Sequence, residues 1–240
     1  MCKLKSAIIL KDRIFIPEYD SHSEMLCELG IKDDYLGASK KFVRAELSPT
    51  DGDAFSDING WYFNVDQDIT PEWFSEEEYK PKMIEVVKEW AKSHIHTGIN
   101  GLRIDAGKNH YIKDCRGVEI CDSATVEYIC GSATVEYICD SATVEHICDS
   151  ATVKNIYGSA TVKNICDSAT VKNICGSATV KNIYGSATVI SSTYREWRNA
   201  ESLIVADNAT FKDNYGKVIY QSGDYKLISV ESGKTIGEAK

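Results

Sequence analysis

The stretch CDSATVKNICGSATVKNIYGSATV, Cys166 to Val189, repeats a nine-residue word almost letter for letter, and the period of that word decides the fold. Copies begin at Cys121, Cys130, Cys139, Cys148, Tyr157, Cys166, Cys175 and Tyr184. Each reads Cys or Tyr, Asp or Gly, Ser, Ala, Thr, Val, Glu or Lys, a variable residue, then Ile. Nine residues at about 100° each make about two and a half helical turns, so a helix would put identical residues on opposite faces in successive copies. A helical array is excluded. The order Ser, Ala, Thr, Val, Glu/Lys alternates polar and apolar, as a strand with one buried face does. Asp or Gly before the strand, and the variable residue with Ile after it, are expected to form the bends.

A coil of one word leaves almost no interior, so two words are expected to make each 18-residue rung, with two short parallel sheets facing each other. Eight words then give four rungs about 19 Å tall at the usual strand spacing. In this register Cys121, Cys139, Tyr157 and Cys175 stack in one ladder and Cys130, Cys148, Cys166 and Tyr184 in the other. The array frays into IKDCRGVEI (Ile112–Ile120) upstream and, beyond an insertion containing YREWRNAESL, into ADNATFKDN (Ala206–Asn214), as capping repeats do.

Residues 1–100 have a different texture and are read as an α+β N-terminal capping domain. SAIILKDRIFIP (Ser6–Pro17), KFVRAEL (Lys41–Leu47) and WYFNV (Trp61–Val65) are expected strands. SHSEMLCEL (Ser21–Leu29) and YKPKMIEVVKEWAKSHI (Tyr79–Ile95) are expected helices, the second with Met83, Val87, Trp90, Ala91 and Ile95 on one face. Residues 101–120 form a degenerate leading rung and 121–192 the nonapeptide-repeat β-solenoid. Residues 193–240 hold a degenerate repeat and a C-terminal capping hairpin turning at Ser222-Gly223-Asp224. The combination of GWYFNVDQDITPEWF (Gly60–Phe74) and VKEWAKSHI (Val87–Ile95) with GSATVKNI-type words resembles nonapeptide-repeat proteins encoded by gut Firmicutes and their phages. That resemblance implies a β-solenoid and carries no activity.

With 43% hydrophobic residues the 240-residue chain can bury a core, and a formal charge of −9 opposes direct nucleic-acid binding through phosphates. The N-terminal stretch has an apolar run of only four residues, so no membrane association and a cytoplasmic location are expected. In that compartment the nine cysteines read as buried thiols rather than bridges, and the Asn208-Ala209-Thr210 glycosylation pattern means nothing.

Identical residues recurring eight times do not make an active site, which needs unlike groups at one point; no catalytic residue, cofactor or metal is expected. Six-residue acyltransferase coils differ in period. The Ser-x-Thr ladder from Ser123 and Thr125 resembles ice-binding solenoids, but those are secreted, and soluble strand residues explain it. Glu127, Glu136 and Glu145 precede Lys154, Lys163, Lys172 and Lys181, which would make the rod acidic at one end and basic at the other; successive duplication of two founder words is the favoured reading of that order, and a polarity suited to self-association is the functional one.

Between Glu46 and Glu78 lie ten acidic residues and no Lys or Arg. Asp51, Asp53, Asp57, Asp66, Asp68, Glu76, Glu77 and Glu78 are therefore the candidate partner-binding residues, for a protein with a basic surface. A sharper form is a phage-type inhibitor that mimics nucleic acid against a host enzyme. DGDAFSDINGWY fails as an EF-hand, with Phe55, Ser56 and Tyr62 at obligatory positions. His94 and His96 have half-site spacing, with His110 and Cys115 the nearest further candidates, yet they read as ordinary histidines. The expected function is a non-enzymatic binding or scaffold protein.

Overall fold

The structure is a computed structural model and describes residues 5–32, 41–191, 204–205, 209–213, 217–222, 224–229 and 235–238. The YREWRNAESL insertion, apart from Ile204-Val205 beyond it, lies outside them, as do Gly223 and part of the degenerate ninth word. The chain divides into two compact units, Met1–Ile95 and His96–Lys240.

In the first unit, four antiparallel strands, β1 (Lys5–Leu10), β2 (Ile14–Phe15), β3 (Phe42–Ser48) and β4 (Tyr62–Val65), lie in the order β2-β1-β3-β4. The expected single strand over Ser6–Pro17 is a hairpin instead. The polar Lys11-Asp12-Arg13 interrupts the apolar run, and Leu10 N–H bonds Arg13 O at 2.8 Å to close the turn. Helix α1 (His22–Glu28) starts on Ser21, whose hydroxyl caps Glu24 N–H. Helix α2 (Glu76–His94) starts on Ser75, which caps Glu78 N–H; Glu76, Glu77 and Glu78 then favour the helix dipole, and Pro81 sits near the start. Its Met83, Val87, Trp90 and Ala91 are buried, as their spacing requires.

The second unit is a parallel β-solenoid in which, through the repeated words, residue i pairs with i+18. One sheet stacks Ile95–Thr97, His110–Lys113, Thr125–Cys130, Thr143–Ile147, Thr161–Ile165, Thr179–Ile183 and Ile204–Val205. The other stacks Arg103–Ile104, Arg116–Ile120, Thr134–Ile138, Thr152–Ile156, Thr170–Val171, Thr188–Ser191 and Thr210–Asp213. Thr143 pairs with Thr161 and Val144 with Val162, so like residues lie over like. The degenerate words at both ends thus contribute strands to the coil.

The bends differ from the expected ones. The second and third residues of the word make the turn, closed for instance by Ala142 N–H to Cys139 O at 3.1 Å, and the second takes the left-handed conformation: Asp122, Asp140, Asp149 and Asp167 have φ of 53 to 56°, and Gly131, Gly158, Gly176 and Gly185 have φ of 64 to 71°. That left-handed conformation explains the alternation of Asp and Gly at one position, since few other residues adopt it readily. The variable residue and Ile belong to the strand. Val and Ile are three residues apart, yet Val144 and Ile147 are both 0% exposed, which a straight strand cannot arrange. Glu145 and His146 between them are both half-buried, so strict alternation is lost between Val and Ile while the pairing one rung away keeps its register. Each word therefore sends Ala, Val and Ile inward, for example Ala142, Val144 and Ile147 facing the core with Ala151, Val153 and Ile156.

After Thr210–Asp213 the second sheet turns antiparallel through Lys217–Ser222, Asp224–Ser229 and Thr235–Glu238. Ser222 pairs with Asp224, as the expected hairpin demands, and its strands occupy the sheet edge that would otherwise be open to strand addition.

Candidate functional site

The acidic segment divides into groups with different work. Asp51 Oδ1 accepts from Asp53 N–H at 3.0 Å and Asp53 Oδ1 from Phe55 N–H at 2.9 Å, two side-chain turns that shape the loop. Asp57 accepts from Asn59 N–H at 3.0 Å and caps the short helical turn Ile58–Gly60. Glu76 faces Lys80 at 3.9 Å and Glu78 faces Lys82 at 2.6 Å along α2. Asp51, Asp57, Asp66, Asp68, Glu76, Glu77 and Glu78 are exposed, and Asp53 is half-buried. The carboxylates that build the loop thus still present charge to solvent.

Asp66 also meets a residue far from it in sequence. It follows β4, and its N–H bonds Arg44 O at 2.9 Å, continuing the pairing with β3. Its Oδ2 stands 3.4 Å from Nδ1 of His22, the first residue of α1. Glu46 of β3 completes the group: one ligand atom each from His22, Glu46 and Asp66 lie within 4.8 Å of one another. His94 and His96 belong to other surroundings. The His94 ring bonds Glu18 Oε2 at 2.9 Å and Trp90 O at 2.8 Å. The His96 ring faces His110 Nδ1 at 3.4 Å, and Cys115 Sγ donates to the backbone carbonyl of His96, not to its ring.

On the solenoid, side chains are satisfied by the neighbouring rung. At the Glu-to-Lys change, Lys154 bonds Glu136 and Lys163 bonds Glu145, each at 2.6 Å. The junction between the two founder words is attractive, although like charges lie one rung apart elsewhere. The eighth residue forms stacks: Tyr111 on Tyr128 at 6.1 Å, Tyr128 on His146 at 4.7 Å, then Asn182 Nδ2 donating to Asn164 Oδ1 at 2.9 Å. Burial lowers the His146 pKa, so the ring stacks neutral. Asp carboxylates tie turns together, as Asp149 Oδ2 does in accepting from Gly131 N–H at 2.9 Å. Asp114 accepts both the N–H and the hydroxyl of Ser132, which holds its carboxyl below the usual range.

The thiol expectation needs one correction. Cys121 and Cys139 are joined as a disulfide, because stacking identical positions on adjacent rungs sets their Cα atoms 4.7 Å apart, within bonding range. In the other ladder Cys130 and Cys166 are buried and Cys148 half-buried; Sγ of Cys166 donates to Ile147 O at 3.7 Å. The hydrogen bond with Cys130, then burial, pushes the Cys148 thiol up to about 12, and the bond with Cys148, then burial, raises Cys166. These are inert thiols at neutral pH. Cys148, Cys166 and Asp167 also have metal-ligand proximity.

The unlike-residue group His22, Glu46 and Asp66 was missed in the sequence because no spacing rule links its members. Glu46 and Asp66 were visible as acidic residues, but the strand order that sets them beside α1 has no local signal. No helix among the described residues is long and apolar enough to cross a membrane. No family model matches the chain, and neither a curated protein nor a solved structure gives a match.

Proposed function

We propose that the protein is a non-enzymatic binding scaffold, in which the solenoid is a rigid spacer and the acidic N-terminal unit docks a protein with a basic surface. The observation that carries this reading is a contrast in side-chain use. Polar groups along the solenoid bond to the rung above or below, as in the Lys154–Glu136, Lys163–Glu145 and Asn182–Asn164 contacts. The exposed carboxylates Asp51, Asp57, Asp68, Glu76 and Glu77 are concentrated in a stretch with no Lys or Arg until α2 has begun. Such a field steers a cationic partner and gives a strongly salt-dependent association.

The test is capture of binding proteins by the full chain and by a variant with Asp51, Asp57 and Asp68 changed to Asn and Glu76 and Glu77 to Gln. A partner held by the native chain at low salt should be lost from the variant and released by roughly 0.5 M salt, where the screening length falls to about 4 Å. Equal retention by both chains, or retention indifferent to salt, rejects the acidic surface as the docking face. The amide replacements keep the turn-forming oxygens of Asp51 and Asp57, so a lost partner reports on charge rather than folding.

A further inference from the structure

The geometry points to a divalent transition-metal site formed by Nδ1 of His22 and the carboxylates of Glu46 and Asp66. It goes beyond the docking role and stands independently of it.

The surroundings of His22 fix its tautomer. Its Nε2 lies 3.2 Å from Ala45 O, and a backbone carbonyl can only accept, so Nε2 carries a proton. In the neutral ring Nδ1 is then a lone pair, and it faces acceptors: Asp66 Oδ2 at 3.4 Å, with the Glu46 carboxylate in the same group. Three acceptor atoms within 4.8 Å of one another repel unless a cation stands among them. A proton on Nδ1 is the simplest such cation, but a charge-assisted N–H···O⁻ bond closes to about 2.8 Å. Two ligands about 2.0–2.1 Å from a tetrahedral ion instead stand about 3.4 Å apart, which is the separation seen.

The surroundings fit a metal as well. Metal-bound histidines characteristically donate their other ring N–H to a backbone carbonyl or carboxylate, which fixes the ring and makes Nδ1 more basic. Here Ala45 O accepts that N–H from Nε2, and the His22 side chain is only 10% exposed, so its aim is set by packing. Asp66 is 60% exposed and can rotate the short way needed to close the set, while solvent on that side supplies the remaining ligands as water. One imidazole and two carboxylates suit Zn²⁺, Mn²⁺ or Fe²⁺ better than Ca²⁺, which takes oxygen ligands. The three ligands come from α1, β3 and the end of β4, so binding would also tie the helix to the sheet.

Imidazole nitrogen spectra of the full chain, titrated with Zn²⁺, test this directly, because the chain has five histidines and His22 is identified by the signal missing from His22→Gln. The expected result is a shift of the His22 Nδ1 resonance complete at one bound equivalent, with affinity at least tenfold weaker in Asp66→Asn, whose exposed position makes misfolding no concern. Zinc taken up by the thiols of the solenoid leaves His22 unmoved. An Nδ1 signal that stays that of an imidazolium through the titration, or one that shifts equally in Asp66→Asn, overturns the site. Asp66 is left unchanged in the docking variant above, so the two readings fail separately.

Discussion

Replacing Val171 by Asp tests the inward-facing geometry of the word, and the preceding residue supplies the control. Val171 is 0% exposed, stacked between Val153 and Val189, while Thr170 is half-buried on the outer side of the same strand. No cationic group belongs to the core cluster, which is lined by Ala, Val and Ile. A carboxylate there must stay charged without a partner or take up a proton, and full burial raises a carboxyl by about 3–5 pKa units. At about 1.36 kcal/mol per unit this costs about 4 kcal/mol at pH 7, because the carboxyl takes up a proton once its pKa passes the pH and only about 3 units separate pH 7 from the unfolded value; lost burial of the Val methyls adds about 1–2 kcal/mol. The sum approaches the about 5–15 kcal/mol that holds a typical domain folded. Because the folded-state pKa is raised above the unfolded value, the folded form binds more protons, and stability falls as pH rises through the window between them. Urea unfolding followed by far-UV circular dichroism at pH 4.5 and 7.5 should therefore show Val171→Asp recovering part of its loss at the lower pH. Thr170→Asp should cost under about 1 kcal/mol, as surface substitutions usually do. Equal losses at the two positions would refute the assignment of inward and outward faces, and a loss for Val171→Asp that is flat with pH would refute burial of the carboxyl.

Three further outcomes are expected. Lys5 is fully buried with Asp20 Oδ1 at 2.9 Å and its ammonium 5.0 Å from the Trp90 ring, so Asp20→Asn should cost about 3–5 kcal/mol by tryptophan fluorescence, and Lys5→Met with Asp20→Asn should restore most of it; an unrescued double variant would show that the pair is not what Asp20 supports. Ser132→Ala should raise the Asp114 pKa part of the way back, since the Ser132 N–H remains; carboxyl titration by NMR checks this, and an unchanged value would deny the hydroxyl any role. Alkylation at pH 8 should label exposed Cys27 quickly and Cys148 and Cys166 only on unfolding; fast labelling of Cys166 in the folded chain would contradict its burial.

The sequence by itself determined the solenoid, because its signals are local and repeated. A nine-residue word with alternating Ala and Val states the strand, and eight near-identical copies leave little doubt about stacking. The residues at the turns were legible for the same reason: Asp and Gly share one position because both accept a positive φ. The helix on Glu76–His94 was likewise legible from its apolar spacing, and the hairpin from its turn.

Tertiary structure alone decided the rest. The variable residue and Ile, expected as a bend, are strand because they pair with the rungs above and below. The bridge between Cys121 and Cys139 follows from stacking distance, not from cysteine count. The strand read through Ser6–Pro17 folds back at Lys11-Asp12-Arg13, a polar break present in the sequence, and the pairing of β1 with β2 on one side and β3 on the other is what the tertiary structure adds. His22, Glu46 and Asp66 meet only because β3 lies beside β4 and α1 packs near their shared face, so 44 residues of chain separate groups that stand 3.4 Å apart. Local chemistry writes secondary structure and repeats, whereas a site of unlike residues is written by the order in which strands pair.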